Sequence, residues 1–245
     1  MADQAAVPKY GLDAPGIVHS MFSRAAWSLG SGVVLYLINR GDYPEPALHL
    51  LEALGLLGLA FLAIGGGMVW SSRVAKLALR DELLDRLSLK GDEKVLDVGC
   101  GRGLLAIGAA KRLQSGRVTG VDVWSGKDLS GNTPDAAKEN AKLERVADKV
   151  RFDTGDARKL VYPDGNFDAV VSGLAIHNIE DDQGREQAVR EMFRVLKPGG
   201  RLAVFDLFRA GEYAKALREA GAKDVELSGT RWLWCVPGRM LTARK

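Results

Sequence analysis

Val95-Leu-Asp-Val-Gly-Cys-Gly-Arg-Gly103 decides the fold. Four residues with apolar side chains at three positions make a short buried strand, and three glycines at alternate positions then end it. The glycines let the backbone turn tightly and approach a ligand where side chains would clash. Downstream, short apolar runs alternate with amphipathic stretches. Strands are expected at 95–98, 117–123, 150–154, 167–172, 201–207, 225–227 and 232–241. Helices are expected at 104–113, 133–147, 184–196 and 212–220. Thr133-Pro134 supplies a hydroxyl cap followed by a proline at the first helical position. Such alternation predicts an α/β domain with a mostly parallel sheet covered on both faces. The last two strands lack a crossover helix between them and must run antiparallel.

Upstream the chain is of another kind. Residues 1–72 hold three basic residues (Lys9, Arg24, Arg40) and five acidic ones (Asp3, Asp13, Asp42, Glu45, Glu52). From Ala53 to Ser72 no residue is charged. A run of about 20 apolar residues, at about 1.5 Å rise each, covers a bilayer's hydrocarbon thickness. A second, weaker segment spans 16–39, with Arg24 inside it. Ala26 with Gly30 and Ser28 with Gly32 recur at a spacing that suits close helix packing. Arg40-Gly-Asp-Tyr-Pro-Glu-Pro46 between the segments suits the turn of a hairpin. Arg73, Lys76 and Arg80 follow the longer run, and this basic flank places residues 73 onward in the cytoplasm. Trp27, Tyr43 and Trp70 suit an interfacial belt. Val74, Leu77, Leu84 and Leu87 mark an amphipathic connecting helix over 73–90. Three parts are expected: an apolar hairpin and membrane anchor at 1–72, the connector at 73–90, and a catalytic domain at 91–245. The competing arrangement is a soluble protein whose hairpin forms a lid or an oligomer interface. Glycine-rich helix faces invite a homodimer.

The composition excludes a disordered chain and a disulfide scaffold: 47% of residues are hydrophobic, and the only cysteines are Cys100 and Cys235. A net charge of +3 with no basic-aromatic stripe speaks against a nucleic-acid partner. The His, Cys and acidic spacings suggest no metal.

The glycine pattern alone is shared by many nucleotide-binding proteins. Gly120-Val-Asp-Val123 adds the second feature, because Asp122 at the end of the next strand is placed to accept ribose hydroxyls. Together VLDVGCGRG, GVDV, TGDA, FDAVVSGLAIHNI and VLKPGGRLAVFD resemble the class I S-adenosylmethionine (SAM)-dependent methyltransferase family over residues 90–245. The resemblance implies a Rossmann-like seven-stranded sheet with an antiparallel last strand, SAM as cofactor and S-adenosylhomocysteine as product. By position it implies that Asp97 approaches the methionine amine and that Gly99, Gly101 and Gly103 line the methionine and ribose. It puts Asp122 on the ribose hydroxyls and Val123 beside the adenine. Gly155, Asp156 and Ala157 fall at the adenine amino group and ring, and Ser172 and Gly173 near the methyl group.

One departure is the connection from Val123 to Thr133, longer than the usual two to six residues. Trp124, Lys127 and Asn132 in it are candidates to close over adenine or acceptor. His177, after the fourth strand, is the candidate general base, since its ordinary pKa suits proton transfer near neutrality. Asn178, Glu180, Asp206 and Arg209 share that end of the sheet and are candidate acceptor contacts. The apolar extension favours a lipophilic acceptor: a lipid head group, a quinone-like ring or a thiol. A non-catalytic SAM-binding scaffold at the membrane is the remaining alternative.

Overall fold

A computed structural model describes residues 8–39, 43–234 and 236–245. Two helices open it, α1 (Pro15–Asn39) and α2 (Glu45–Trp70). Pro44 and Pro46 start α2, where a missing N–H costs nothing. Of the expected turn, Arg40, Gly41 and Asp42 lie outside the described residues. The two helices pack along small residues: the Ser28 hydroxyl donates to the Leu54 carbonyl at 2.8 Å, and Gly65 receives Met21 and Phe22. A Cβ added at Gly58 would lie 2.5 Å from Leu29 Cγ. Gly30, expected at this seam, has open space beside it. The outer faces leave Trp27, Leu37, Ile38, Leu56 and Leu59 each more than half exposed. Both helices are long and apolar enough to cross a membrane.

The connecting helix expected at 73–90 is continuous with α2 and ends at Asp85. α2 continues through a π-helical turn, Ser71–Ala75, directly into α3 (Lys76–Asp85), because nothing between Trp70 and Lys76 breaks a helix. α3 packs its Leu83, Leu84 and Leu87 region onto the α/β domain.

That domain runs β1 (Lys94–Val98), α4 (Leu104–Arg112), β2 (Arg117–Asp122), α5 (Pro134–Leu143), β3 (Val150–Thr154), β4 (Phe167–Gly173), α6 (Asp182–Arg194), β5 (Leu196–Leu207), α7 (Ala210–Glu219), β6 (Lys223–Leu227), β7 (Arg231–Leu233) and β8 (Val236–Arg244). The strand order is β3-β2-β1-β4-β5-β8-β6, with β7 paired to β8. β1 to β5 are parallel, and β8 runs antiparallel to β5 and β6. Side chains alternate between two cores. Leu96, Val98, Val170, Leu202 and Val204 meet α6 and α7; Val95, Ala169, Val171, Ala203 and Phe205 meet α3 and α4.

The sheet has eight strands, not seven. The expected strand 232–241 is two: Trp234 adopts a left-handed φ of 57° and folds β7 back on β8, pairing Arg231 with Gly238 and Trp232 with Pro237. Apolar content signalled extended chain there but could not signal the reversal. β5 likewise begins earlier than expected, at Leu196, which pairs with Phe167 of β4 before Lys197-Pro-Gly-Gly200 bulges, with Gly199 at a φ of 78°, and pairing resumes at Arg201.

Replacing Gly58 by Val forces two branched methyls into Leu29. Overpacking of this kind costs about 1–3 kcal/mol, so the hairpin should melt earlier by circular dichroism in detergent. Gly55→Ala, with open space beside it, should melt no earlier than the parent.

Candidate functional site

β1 lies between β2 and β4, and the chain leaves it in opposite directions, so a crevice opens at the carboxyl ends of β1 and β4. The glycine loop fills its floor. Gly99, Gly101 and Gly103 have φ of 72°, 52° and 85°, a region that strains residues with a Cβ. The Gly99 and Cys100 N–H groups donate to the Val121 carbonyl, which ties the loop to β2.

Asp97 is fully buried at the end of β1. Its Oδ2 accepts the Ala106 N–H at 2.8 Å, at the start of α4, while its Oδ1 has no protein partner. Burial pushes the carboxyl pKa up to about 8, the Ala106 bond opposes this, and the nearby Asp122 charge adds to it. A buried acid with an unpartnered oxygen fits an incoming cation.

Asp122 Oδ2 accepts the Gly101 N–H at 2.8 Å; Oδ1 accepts the Trp124 N–H at 2.6 Å and the Asn132 amide at 3.2 Å. A carboxylate has about four acceptor positions, so Asp122 both shapes the loop and keeps capacity for another donor. Asn132 is therefore buried scaffold behind Asp122. Trp124, at φ 62°, donates through its indole to the Thr154 hydroxyl at 2.9 Å and so packs toward β3. Val123 and Lys127 stay exposed. Asp156 accepts three side-chain bonds and one backbone bond from Arg158, whose guanidinium holds its carboxyl below the usual range; Gly155 donates to the Asp122 carbonyl and Ala157 follows half-buried. Ser172 spends its hydroxyl on the Val98 carbonyl at 2.7 Å, fully buried. Only its backbone remains for a ligand.

Across the crevice, His177 sits on a 3-10 turn, Ile176–Asn178. Its N–H donates to Asp206 Oδ2 at 2.9 Å, and its Nδ1 is bound to Asp206 Oδ1. Asp206 also accepts the Leu207 N–H at 2.9 Å and the Tyr213 hydroxyl at 3.1 Å. It is fully buried, so it holds His177 instead of touching an acceptor. Burial lowers the His177 pKa, but the Asp206 carboxylate outweighs it, and the net shift is upward. Nδ1 bound to the carboxylate leaves Nε2 as the ring's remaining acceptor. Asn178 is exposed on the same turn; Arg209 is paired to Glu212 at 2.7 Å.

A strap over the crevice was not foreseen. Residues 9–14 run beside the long loop: Leu12 N–H donates to the Ser130 hydroxyl, Ser130 N–H to the Leu12 carbonyl, and Ala14 N–H to the Asp128 carbonyl. Lys9 and Asn140 exchange two bonds. Buried Lys76 of α3 donates to the Tyr10 and Gly11 carbonyls and pairs with Asp13 at 3.1 Å. Leu129 packs against Gly101 and Gly11. Leu129 is the one apolar residue in the polar stretch 125–132, a signal that was present in the sequence. Tyr213 carried none, since it reads as an ordinary core position of α7. Among the described residues no group of His, Cys, Asp or Glu is placed to hold a metal.

Comparison with known proteins agrees with this fold. Residues 95–200 match the family described as "Methyltransferase domain". The chain is 35% identical over 176 residues to "Methyltransferase GfsG" of Streptomyces halstedii, covering 70% of this chain and 58% of that protein. It is 34% identical over 128 residues to a demethylmenaquinone methyltransferase of Lactiplantibacillus plantarum, covering 52% of this chain and 50% of the relative. The chain thus spans about half the length of the curated relatives it matches. The crystal structure of geranyl diphosphate C-methyltransferase from Streptomyces coelicolor, solved with Mg2+, geranyl diphosphate and S-adenosyl-L-homocysteine, shares the fold at a TM-score of 0.54 and 18% identity, over 69% of this chain and 79% of that one. Residues 95–200, from the glycine loop of β1 into β5, thus match a methyltransferase domain, and the sheet around them has the fold of class I SAM-dependent methyltransferases.

Proposed function

We propose that the protein is a membrane-anchored methyltransferase that moves the methyl group of SAM to a small lipophilic acceptor, best a quinone-like ring bearing a hydroxyl. The observation that carries the reading is the pairing, across one crevice, of an unpartnered buried carboxylate, Asp97, with a carboxylate-held histidine, His177. SAM supplies, when bound, a methyl group on a sulfonium leaving group. Asp97 would receive its ammonium, Asp122 its ribose hydroxyls, and Val123, Asp156 and Ala157 its adenine, with Gly99, Gly101, Gly103, Gly155 and the Ser172 backbone lining the path. The strap and Leu129 exclude water from the loop.

His177 would take the acceptor proton at Nε2 while Asp206 stabilises the charge that develops on the ring. A ring hydroxyl gains nucleophilic character, at oxygen or at the adjoining carbons, as its proton leaves. Asn178 at the rim would contact the acceptor, and Lys127 is the exposed cation of the long loop. The relatives named for demethylmenaquinone support a quinone-like ring, and the exposed apolar surface of α1 and α2 supports delivery from a membrane. Residues 91–245 would then work at the cytoplasmic face. The lid arrangement keeps one supporting fact, the strap of residues 9–14 over the cofactor loop.

Labelled SAM added to membranes and cytosol, followed by solvent extraction, tests the acceptor. Label is expected in the lipid fraction; label confined to the aqueous fraction would overturn the lipophilic acceptor.

Asp97 is mostly protonated at pH 7 in the free domain, because its pKa is about 8. A bound cation favours the carboxylate, so binding should release a proton at pH 7. Below about pH 8, affinity should rise about tenfold per pH unit and then level off. Calorimetry at pH 7 in two buffers of different ionisation enthalpy measures the proton directly, and Asp97→Asn should abolish its release.

His177 acts in the same direction: the neutral ring is the base, and its pKa lies above the ordinary value. kcat/KM should climb with pH through a value above about 6.5. His177→Ala should lose about 100-fold or more in kcat with SAM affinity retained. Asp206→Asn should move the climb to lower pH. A profile unchanged in both variants would exclude the base.

A further inference from the structure

The sequence Trp232-Leu-Trp234 takes no part in the site described above, yet it stands at the rim of the crevice. Gly238 pairs with both Leu207 of β5 and Arg231 of β7, so the β7–β8 turn lies at the same carboxyl end of β5 from which Asp206 holds His177. Phe208 follows at a left-handed φ of 59° and is 72% exposed. Trp232 is 65% exposed and Trp234 44%. The Trp234 ring covers Gly67 of α2, where any Cβ would collide with it. Trp70, one turn further along α2, is 52% exposed.

That contact fixes a level. The uncharged run of α2 ends at Ser72, and Arg73 is the first cation after it. If α2 crosses a bilayer, the hydrocarbon boundary falls at Trp70–Arg73, and Gly67 lies a turn inside it. Trp234 therefore sits at the boundary as well. Tryptophan prefers this layer, with an apolar ring body and one N–H for the headgroups. The charges beside these rings are already matched or bonded: Arg231 with Glu82 at 2.7 Å, Arg209 with Glu212 at 2.7 Å, and Arg239 with the Ser228 carbonyl at 2.9 Å.

We propose that Trp70, Phe208, Trp232 and Trp234 form a docking surface for the headgroup layer of a phospholipid bilayer, which seats the mouth of the crevice against lipid. The inference rests on the membrane reading of α1 and α2 and goes beyond it, since an inserted hairpin could also hold the domain clear of the surface. The attraction is aromatic and apolar, so it does not depend on anionic lipid. An acceptor dissolved in the bilayer enters beside Asn178 without crossing water.

The full chain is reconstituted in phosphatidylcholine vesicles containing brominated phosphatidylcholine, and tryptophan emission is read. One variant keeps only Trp232 and Trp234 (W27F, W70F, W124F); another keeps only Trp27 of α1 (W70F, W124F, W232F, W234F). Both are expected to lose at least about half their emission, the rim pair most with bromine high on the acyl chain and Trp27 with bromine placed deeper. Quenching of Trp27 alone, with the rim pair open to aqueous iodide, overturns the docking surface and leaves the anchor standing. Quenching of neither overturns both. The difference between the unaltered chain and W232F/W234F reads the same rim with only two conservative changes: a smaller quenched fraction in the double variant supports the surface, and an equal fraction overturns it.

Discussion

Everything at this site depends on β1 being buried on both faces between two parallel neighbours. A parallel strand flanked by β2 and β4 and covered by helices is closed along its length. Only its carboxyl end stays open, because the chain leaves in two directions there. The glycine loop must turn in that small space, and Asp97 is carried to the end of the strand with no water to solvate it. Its raised pKa and unpartnered oxygen follow from that burial. The site is thus prepared for a cation by the same packing that stabilises the sheet.

The second half of the site is built on β4 and β5, whose parallel register sets Ser172 beside Val204 and Gly173 beside Phe205. Asp206 follows directly at the open end. There it gathers four donors or ring contacts from three separate segments: the turn at His177, its own strand end and α7. A carboxylate held in this way is a positioning group; it orients one imidazole nitrogen and leaves the other for chemistry.

Much of this could be read along the chain. Local signals were strong wherever a residue acts through its own backbone or its immediate neighbours: the glycines at 99, 101 and 103, the cap at Thr133, and the carboxylates at strand ends. The long loop after Val123 was legible as unusual, though the roles of its residues were not. Trp124 turned toward Thr154 and Asn132 toward Asp122, and neither orientation follows from composition. Asp206 looked like an acceptor contact because it ends a strand at the open side, but its partners come from 29 residues upstream and from the following helix. The division of the last strand at Trp234 was hidden because a left-handed turn at a tryptophan runs against local preference and is held by pairing and by Gly67.

The sequence by itself determined the α/β layering, the glycine loop at the end of its first strand, and an N-terminal pair of helices too apolar to be covered by this domain. Those properties reside in short-range periodicity, in uncharged length and in glycine placement, all of which are local. The tertiary structure alone decided that residues 9–14 lie beside the long loop at 128–130, that Lys76 pins them from α3, and that Trp234 meets Gly67 at the crevice rim. These contacts join segments far apart in the chain. Their energy comes from burying side chains together once the sheet exists, and no local pattern encodes which distant neighbour a side chain will find.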